Sequence, residues 1–438
     1  MPGDSITADA PPDANWTVTH ASRLITSIAA AAEVRPGDSI MCGLPEPTQF
    51  LYDLAARDDL HDVALFMPTP RKGGVAVARH PGIEVRAPFV SQILRRAGAQ
   101  SEVVPLRLQD WGGYGRRTAA RIRVVQVGIP RLDGTVPAGS VLAGNGGLVH
   151  YDRRPDDLVF ALVNPVVPMV PGDGFHVDDF DGLIEVPLDG AVPVFDERTP
   201  PAELDAFVGA LDDLIPDGST VQSGVGGLTE VAMSAMTHKR DLGIHTEIMC
   251  QGLADLMRSG AANGSRKPQY EGRAVFTISL PETFSYIDRN PMCRMTHGHE
   301  ALDPSVIAAN PSMRCVNGAV EVDLLGQVNA EMIGGHQWSG VGGQLDFLRG
   351  CQMSDDALAI HLMPATAAGG AASRIVPRIG ENAVTATRYD TQAVVTEFGV
   401  AWLKDATVRQ RAERLIAVAH PDHRAELTDA AQQAKLVP

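Results

Sequence analysis

The chain has no Cys-X-X-Cys pair. Its five cysteines, Cys42, Cys250, Cys293, Cys315 and Cys351, are odd in number and widely spaced. That pattern argues against a disulfide framework or a thiolate zinc site and points to free thiols in a reducing cytoplasm. Positive charge is scarce: 37 Lys and Arg stand against 53 Asp and Glu, a net charge of -16. Nucleic acid and anionic membranes need basic surface, so neither is expected as a partner. No apolar run approaches the roughly 20 residues that a membrane-crossing helix needs. The opening segment, MPGDSITADAPPDANW, lacks both a basic region and an apolar stretch. It reads as a disordered arm over residues 1–18, not as a signal peptide. There is no Gly-Lys-Ser/Thr to complete a phosphate loop and no GxSxG nucleophile elbow.

What is present is ordinary globular material. Of 438 residues, 44% are hydrophobic and 21% charged, enough for a large core, and the length predicts two or three domains. Strands are predicted at Ser39–Cys42, Val63–Met67, Ile122–Ile129 and Leu158–Val163. A helix is predicted over Pro47–Ala56, with Pro47 at its first position, where a missing N–H costs nothing. Val186–Pro201, rich in Pro, Gly and Asp, reads as a connector, followed by a helix over Ala202–Leu214. The second half repeats the alternation, with strands at Val275–Ile278, Ala319–Leu325, Ala357–Leu362 and Ala393–Thr396 and a helix over Val408–Ala419. Such alternation predicts an α/β fold, with a mostly parallel sheet and covering helices in each half.

Two stretches carry nearly the same glycine turn: Ser223-Gly224-Val225-Gly226-Gly227 and Ser339-Gly340-Val341-Gly342-Gly343. Turns of this kind let backbone N–H groups approach an anion or a developing oxyanion without a Cβ in the way. The first follows a strand-like run (Ser219–Gln222) and precedes a helix (Glu230–Met236), which would set its N–H groups at a helix N-terminus. A tight turn without a ligand fits the same pattern. Glu247, flanked by Ile244, Ile248 and Met249, is a charge on an apolar segment; spacing alone fits a catalytic and an exposed strand-end carboxylate equally. Glu397 ends an apolar strand, where α/β sheets place chemistry, and an ion pair with Arg374 or Arg388 is the plain alternative. His297 and His299 could be a metal pair but have no third ligand at recognisable spacing. Trp338 and Phe347 read as packing residues.

Taken together, VQSGVGGLTEVA (221–232), DLGIHTEIM (241–249), VNGAVEVDLLGQVNAE (316–331), SGVGGQLDFLRG (339–350), SRIVP (373–377), VVTEFGVAWL (394–403) and RAERLIAVAHPDHRAEL (411–427) resemble the acetyl-CoA hydrolase/transferase family, class I coenzyme A transferases that include 4-hydroxybutyrate CoA-transferase. The strings cover most of the second half, in the family's order. The first half matches more loosely, through VNPVVP (163–168) and FHVDDF (175–180). The resemblance implies two CoA-transferase-like α/β domains, over residues 19–200 and 201–438, with the active site between them. It implies Glu247 as a covalent nucleophile. It places Gly224, Val225, Gly226, Gly227 and Leu228 in a coenzyme A and oxyanion loop, Gly342 and Gly343 in a second loop, and Asn317 and Glu397 around the site. The substrates implied are an acyl-CoA and a small carboxylic acid, with no metal, in a cytoplasmic homodimer or dimer of dimers. Acyl-CoA hydrolysis on the same Glu247 is the near alternative, and a CoA-binding homologue without activity is the more distant one. The sequence departs from the family pattern at Thr229-Glu230, where Pro-Asp is common, and at Gln251, where Asp is common.

Overall fold

The structure is a computed structural model that describes residues 5–9, 11–90, 92–99, 101–151, 153–186 and 204–438. The described residues fall into two compact units. One holds the chain up to residue 186 together with Val275–Glu300; the other holds residues 204–274 and Ala301–Pro438. The expected connector at Val186–Pro201 lies almost wholly outside the described residues.

The first unit is built on one parallel sheet. Its strands are β1 (Ser39–Cys42), β2 (Val63–Phe66), β3 (Ile83–Ala87), β4 (Glu102–Val103), β5 (Ile122–Val127), β6 (Leu158–Val163) and β7 (Gly182–Glu185). Their spatial order is β4-β3-β2-β1-β5-β6-β7, every pair parallel. Its central strands β5 and β6 are buried along nearly their whole length rather than alternating, as expected of a parallel sheet. The two polar residues inside β5 each have a reason: Arg123 pairs with Asp157 at 2.5 Å, and Gln126 donates to the Glu46 carbonyl at 2.6 Å. Helix α1 (Thr48–Ala55) buries Phe50, Leu51 and Leu54 on this sheet; Pro47 sits at its N-cap, one residue before the expected position.

The expected disordered arm is a correction. Ile6 is fully buried and its backbone exchanges two hydrogen bonds with Gly172, while Trp16 is buried in a short helix, Trp16–Thr19. Two large apolar side chains outweigh the polar composition around them. Residues 275–300 are tied into the same unit. The Thr277 carbonyl accepts from the N–H groups of Leu142 and Ala143, and Asp173 takes Arg294 at 2.8 Å and the Thr296 hydroxyl at 2.9 Å.

The second unit has strands β8 (Thr220–Ser223), β9 (Gly243–Ile244), β10 (Arg314–Gly318), β11 (Leu358–Leu362), β12 (Ala393–Thr396) and β13 (Gly399–Trp402). They lie in the order β9-β8-β10-β11-β12-β13, all parallel except β13. Helix α2 (Leu204–Leu214) precedes β8, α3 (Gly227–Ser234) follows it, and α4 (Gln344–Gln352) lies between β10 and β11 in the chain. Helix α5 (Val408–Val418) opens on a capping box, with the Thr407 hydroxyl accepting from Gln410 N–H. The predicted strand at Ala319–Leu325 is only Glu321–Asp323, which pairs with Val328–Asn329, because the turn at Gly326 folds it back. The chain order reverses between β8 and β10. A sheet of this order opens a crevice at the carboxyl ends of its strands, at that reversal.

Candidate active site

Four features that the sequence singles out in the second half fall at the carboxyl edge of this sheet. Glu247 follows β9, the first glycine loop follows β8, Asn317 is near the end of β10, and Glu397 follows β12.

The segment that carries Glu247 is pinned on both sides. Lys267, buried, donates from Nζ to the carbonyls of Ile244 at 2.8 Å and Arg273 at 2.9 Å. Burial lowers its pKa to about 7. His245 is buried, with Nε2 2.9 Å from the Ala301 carbonyl oxygen, and burial pushes its pKa down to about 3, so the ring is neutral. Glu247 itself keeps some accessible surface. Its Oε2 accepts the Gly343 N–H at 2.7 Å. Loss of solvent around the carboxyl raises its pKa to about 7; the Gly343 N–H opposes that rise, and the nearby charge of Asp346 adds to it. A carboxyl with this pKa is a stronger base, and so a stronger nucleophile once ionised, than an ordinary Glu.

The second glycine loop has the shape this contact needs. A Cβ on Gly343 would lie 2.5 Å from Glu247 Oε2 and 2.8 Å from Leu302 Cδ2, which leaves no room for any side chain. Gly342 has φ +58, in the left-handed region that glycine adopts at no cost. Gly343 is also the N-cap of α4, so its N–H has no partner within the helix and is free for the carboxylate.

The first loop is built differently. The Gly224 N–H donates to the Val316 carbonyl at 2.7 Å, tying the loop to β10. A Cβ on Gly224 would come 3.0 Å from Asn317 Oδ1. Asn317 is locked against Gln222 by two reciprocal amide bonds, each 3.1 Å, across the β8–β10 pair. The helix after the loop begins at Gly227, three residues earlier than expected, so Gly226 is its cap. Val225 is 39% exposed at the tip. Among the described residues, no hydrogen bond joins this loop to Glu247. Glu397 accepts the Ala365 N–H at 2.8 Å through Oε2. Of its two expected partners, Arg374 is the one that feels Glu397: burial lowers its pKa and the Glu397 charge opposes that fall, while the Arg388 guanidinium lies 5.3 Å from the Tyr389 ring.

Sequence reading missed Gln222, Lys267, Asp346 and the Ala365 amide. Gln222 had a visible signal, a polar residue in an apolar strand just before the first glycine turn. Lys267 had none. The other singled-out residues lie elsewhere. The His297 and His299 rings stack at 5.2 Å in the first unit, and among the described residues no three metal-ligating side chains converge. Phe347 is fully buried as expected, whereas Trp338 is 43% exposed. A cavity of about 510 Å³ in the first unit opens at the amino ends of β1 and β5, where its arginines are already paired: Arg121 with Asp38, Arg154 with Asp157.

Comparison with known proteins fits this arrangement. The chain is 41% identical over 443 residues to the succinyl-CoA:cyclohexane-1-carboxylate CoA transferase of Geobacter metallireducens, covering 94% of this chain and 96% of that one. Residues 280–431 match the acetyl-CoA hydrolase/transferase C-terminal domain. The chain therefore belongs to the acetyl-CoA hydrolase/transferase family, a family of enzymes. The fold agrees with that of RipA from Yersinia pestis (TM-score 0.88, 30% identity, 96% of this chain and 99% of that one). It also agrees with 4-hydroxybutyrate CoA-transferase from Porphyromonas gingivalis (TM-score 0.77, 26% identity, 96% of this chain and 100% of that one).

Proposed function

We propose that this enzyme moves coenzyme A from an acyl-CoA to a carboxylic acid, with Glu247 as the covalent carrier. The observation that carries the proposal is a single carboxylate with raised basicity, at the carboxyl edge of the sheet, already accepting one glycine-loop N–H. The Glu247 carboxylate attacks the thioester carbonyl; the C–S bond breaks, giving an acyl-glutamyl anhydride and CoA thiolate. The thiolate adds to the glutamyl carbonyl, the C–O bond of the anhydride breaks, and the first acid leaves as its carboxylate. Glu247 is then a glutamyl-CoA thioester. An incoming carboxylate runs both steps in reverse, so the thioester's energy is retained throughout.

Each addition creates an oxyanion. The Gly343 amide and the first loop, Gly224, Val225, Gly226, Gly227 and Leu228, are assigned to that charge and to the CoA thioester; in the loop the N–H groups of Val225, Gly227 and Leu228 are the donors suited to it, since those of Gly224 and Gly226 are given to Val316 and Glu230. Asn317 and Glu397 line the same edge. The first pair to assay is succinyl-CoA with cyclohexane-1-carboxylate, given the name of the 41% identical relative. Hydrolysis is the same chemistry with water in place of the second acid, so the product assay is run with and without an added acid. We place the enzyme in the cytoplasm as a homodimer or dimer of dimers, to be tested by gel filtration. Glu247→Ala tests the assignment of the carrier. Turnover should fall to background while free coenzyme A still binds by calorimetry; turnover near the wild-type rate would refute it.

A further inference from the structure

The first glycine loop is braced by a side chain with no role so far. Thr229 is buried, 2% exposed, in the first turn of α3. Its hydroxyl lies 2.7 Å from the Gly224 carbonyl oxygen and 3.0 Å from that of Gly226, within donating distance of both. The Gly226 carbonyl also accepts the Glu230 N–H at 3.0 Å, and the Glu230 side chain returns to the Gly226 N–H at 3.3 Å.

These contacts fix two peptide planes. In a trans peptide the C=O and the following N–H point in opposite directions. Holding the Gly224 and Gly226 carbonyls inward, against Thr229, therefore turns the N–H groups of Val225 and Gly227 outward. Within the turn itself, the Gly224 N–H is spent on Val316 and the Gly226 N–H on Glu230. We propose that Thr229 is a positioning residue whose hydroxyl aims the Val225 and Gly227 amides out of the helix turn, as the donor pair of this loop. The inference rests on the transferase reading for its catalytic consequence, but not for the loop geometry itself.

The test uses full-length Thr229→Val, which keeps the β-branched shape and removes the hydroxyl, with Thr229→Ser as the conservative rescue. Thr229→Ala, lacking the hydroxyl and smaller, guards against a packing artefact in Val. Two readouts are taken. Hydrogen exchange of the peptide spanning residues 223–234 should speed up about 10-fold at Gly226 and Glu230 in Val and Ala, and return to the wild-type rate in Ser, as loss of one net hydrogen bond implies. With succinyl-CoA and cyclohexane-1-carboxylate, kcat should fall about 10-fold or more in Val and Ala, with KM changed less than about threefold, because a misaimed oxyanion donor is missed chiefly in the transition state. Unchanged exchange in Val and Ala overturns the bracing. Faster exchange with unchanged kcat overturns the positioning role, as does a Ser variant no better than Val. If wild type itself transfers no CoA from any thioester, the proposed function fails, and the exchange data still decide on Thr229.

Discussion

Glu247 is held in a setting that costs the fold something. Its pKa of about 7 lies above the ordinary 4.5, and desolvation is the main cause. The sign follows from linkage. An acid whose folded pKa is raised is harder to ionise in the folded state than in the unfolded one, so it subtracts stability as pH rises from 4.5 through 7 and most fully above that. The cost at pH 8 is on the order of 3 kcal/mol. Glu247→Gln keeps an oxygen for the Gly343 N–H and removes the charge. The account therefore expects the Gln variant to be more stable than wild type at pH 8, with the difference shrinking as pH falls and disappearing below about 4.5. Urea unfolding at a series of pH values checks this; a Gln variant less stable than wild type at pH 8 contradicts it. The sequence shows why Glu247 draws notice, an acid among Ile244, Ile248 and Met249. It cannot show that setting, because Lys267 and the Gly343–Asp346 turn arrive from two other stretches of chain.

At the scale of elements, the two glycine turns look alike as strings and act differently in space. Both lie next to a helix N-terminus, which the sequence reading placed after the first turn only. The division of labour was not. In the second loop the absence of a Cβ at Gly343 is itself the fit, since that atom would sit 2.5 Å from the Glu247 oxygen. In the first loop the fit is set by Thr229 and by the Gln222–Asn317 amide pair, which depend on strand register. Gly343→Ala tests the difference. The residue has φ -95, which alanine adopts freely, so backbone strain plays no part. The added methyl should displace the carboxylate and lower kcat by about 100-fold, the scale of losing one oxyanion-type contact. The fold should be retained, as judged by circular dichroism. Wild-type activity in Gly343→Ala would contradict the assigned contact. Regular strands such as β1, β6 and β12 matched their expected ranges to the residue, because continuous apolar runs bounded by turn residues leave little choice. The short strand Glu321–Asp323 did not, because a hairpin partner and not composition decides where it stops.

At the scale of the whole molecule, chain order and folding unit diverge. Val275–Glu300 is flanked in sequence by the second unit and belongs to the first, where Phe276, Met295 and Arg294 are all buried. Alternating apolar runs predicted an α/β fold in each half but carried no mark of that excursion, since contacts with Leu142 and Asp173 are visible only in three dimensions. A fragment of residues 204–438 would expose these side chains and leave Arg294 without Asp173. It is expected to be aggregation-prone and readily cut by trypsin between residues 275 and 300, and to be rescued by co-expression with residues 1–203. A fragment that folds alone and resists trypsin there would contradict the assignment of that segment.

The central claim is that Glu247 becomes bonded to the sulfur of coenzyme A during turnover. The direct measurement is peptide mass spectrometry of the full-length enzyme after incubation with succinyl-CoA and no acceptor acid, followed by borohydride, which reduces a glutamyl thioester to the alcohol. The account predicts reduction at Glu247 alone, abolished by prior addition of an acceptor acid that discharges the thioester. An active enzyme with Glu247 unmodified under these conditions, or with the modification on another side chain, would contradict it.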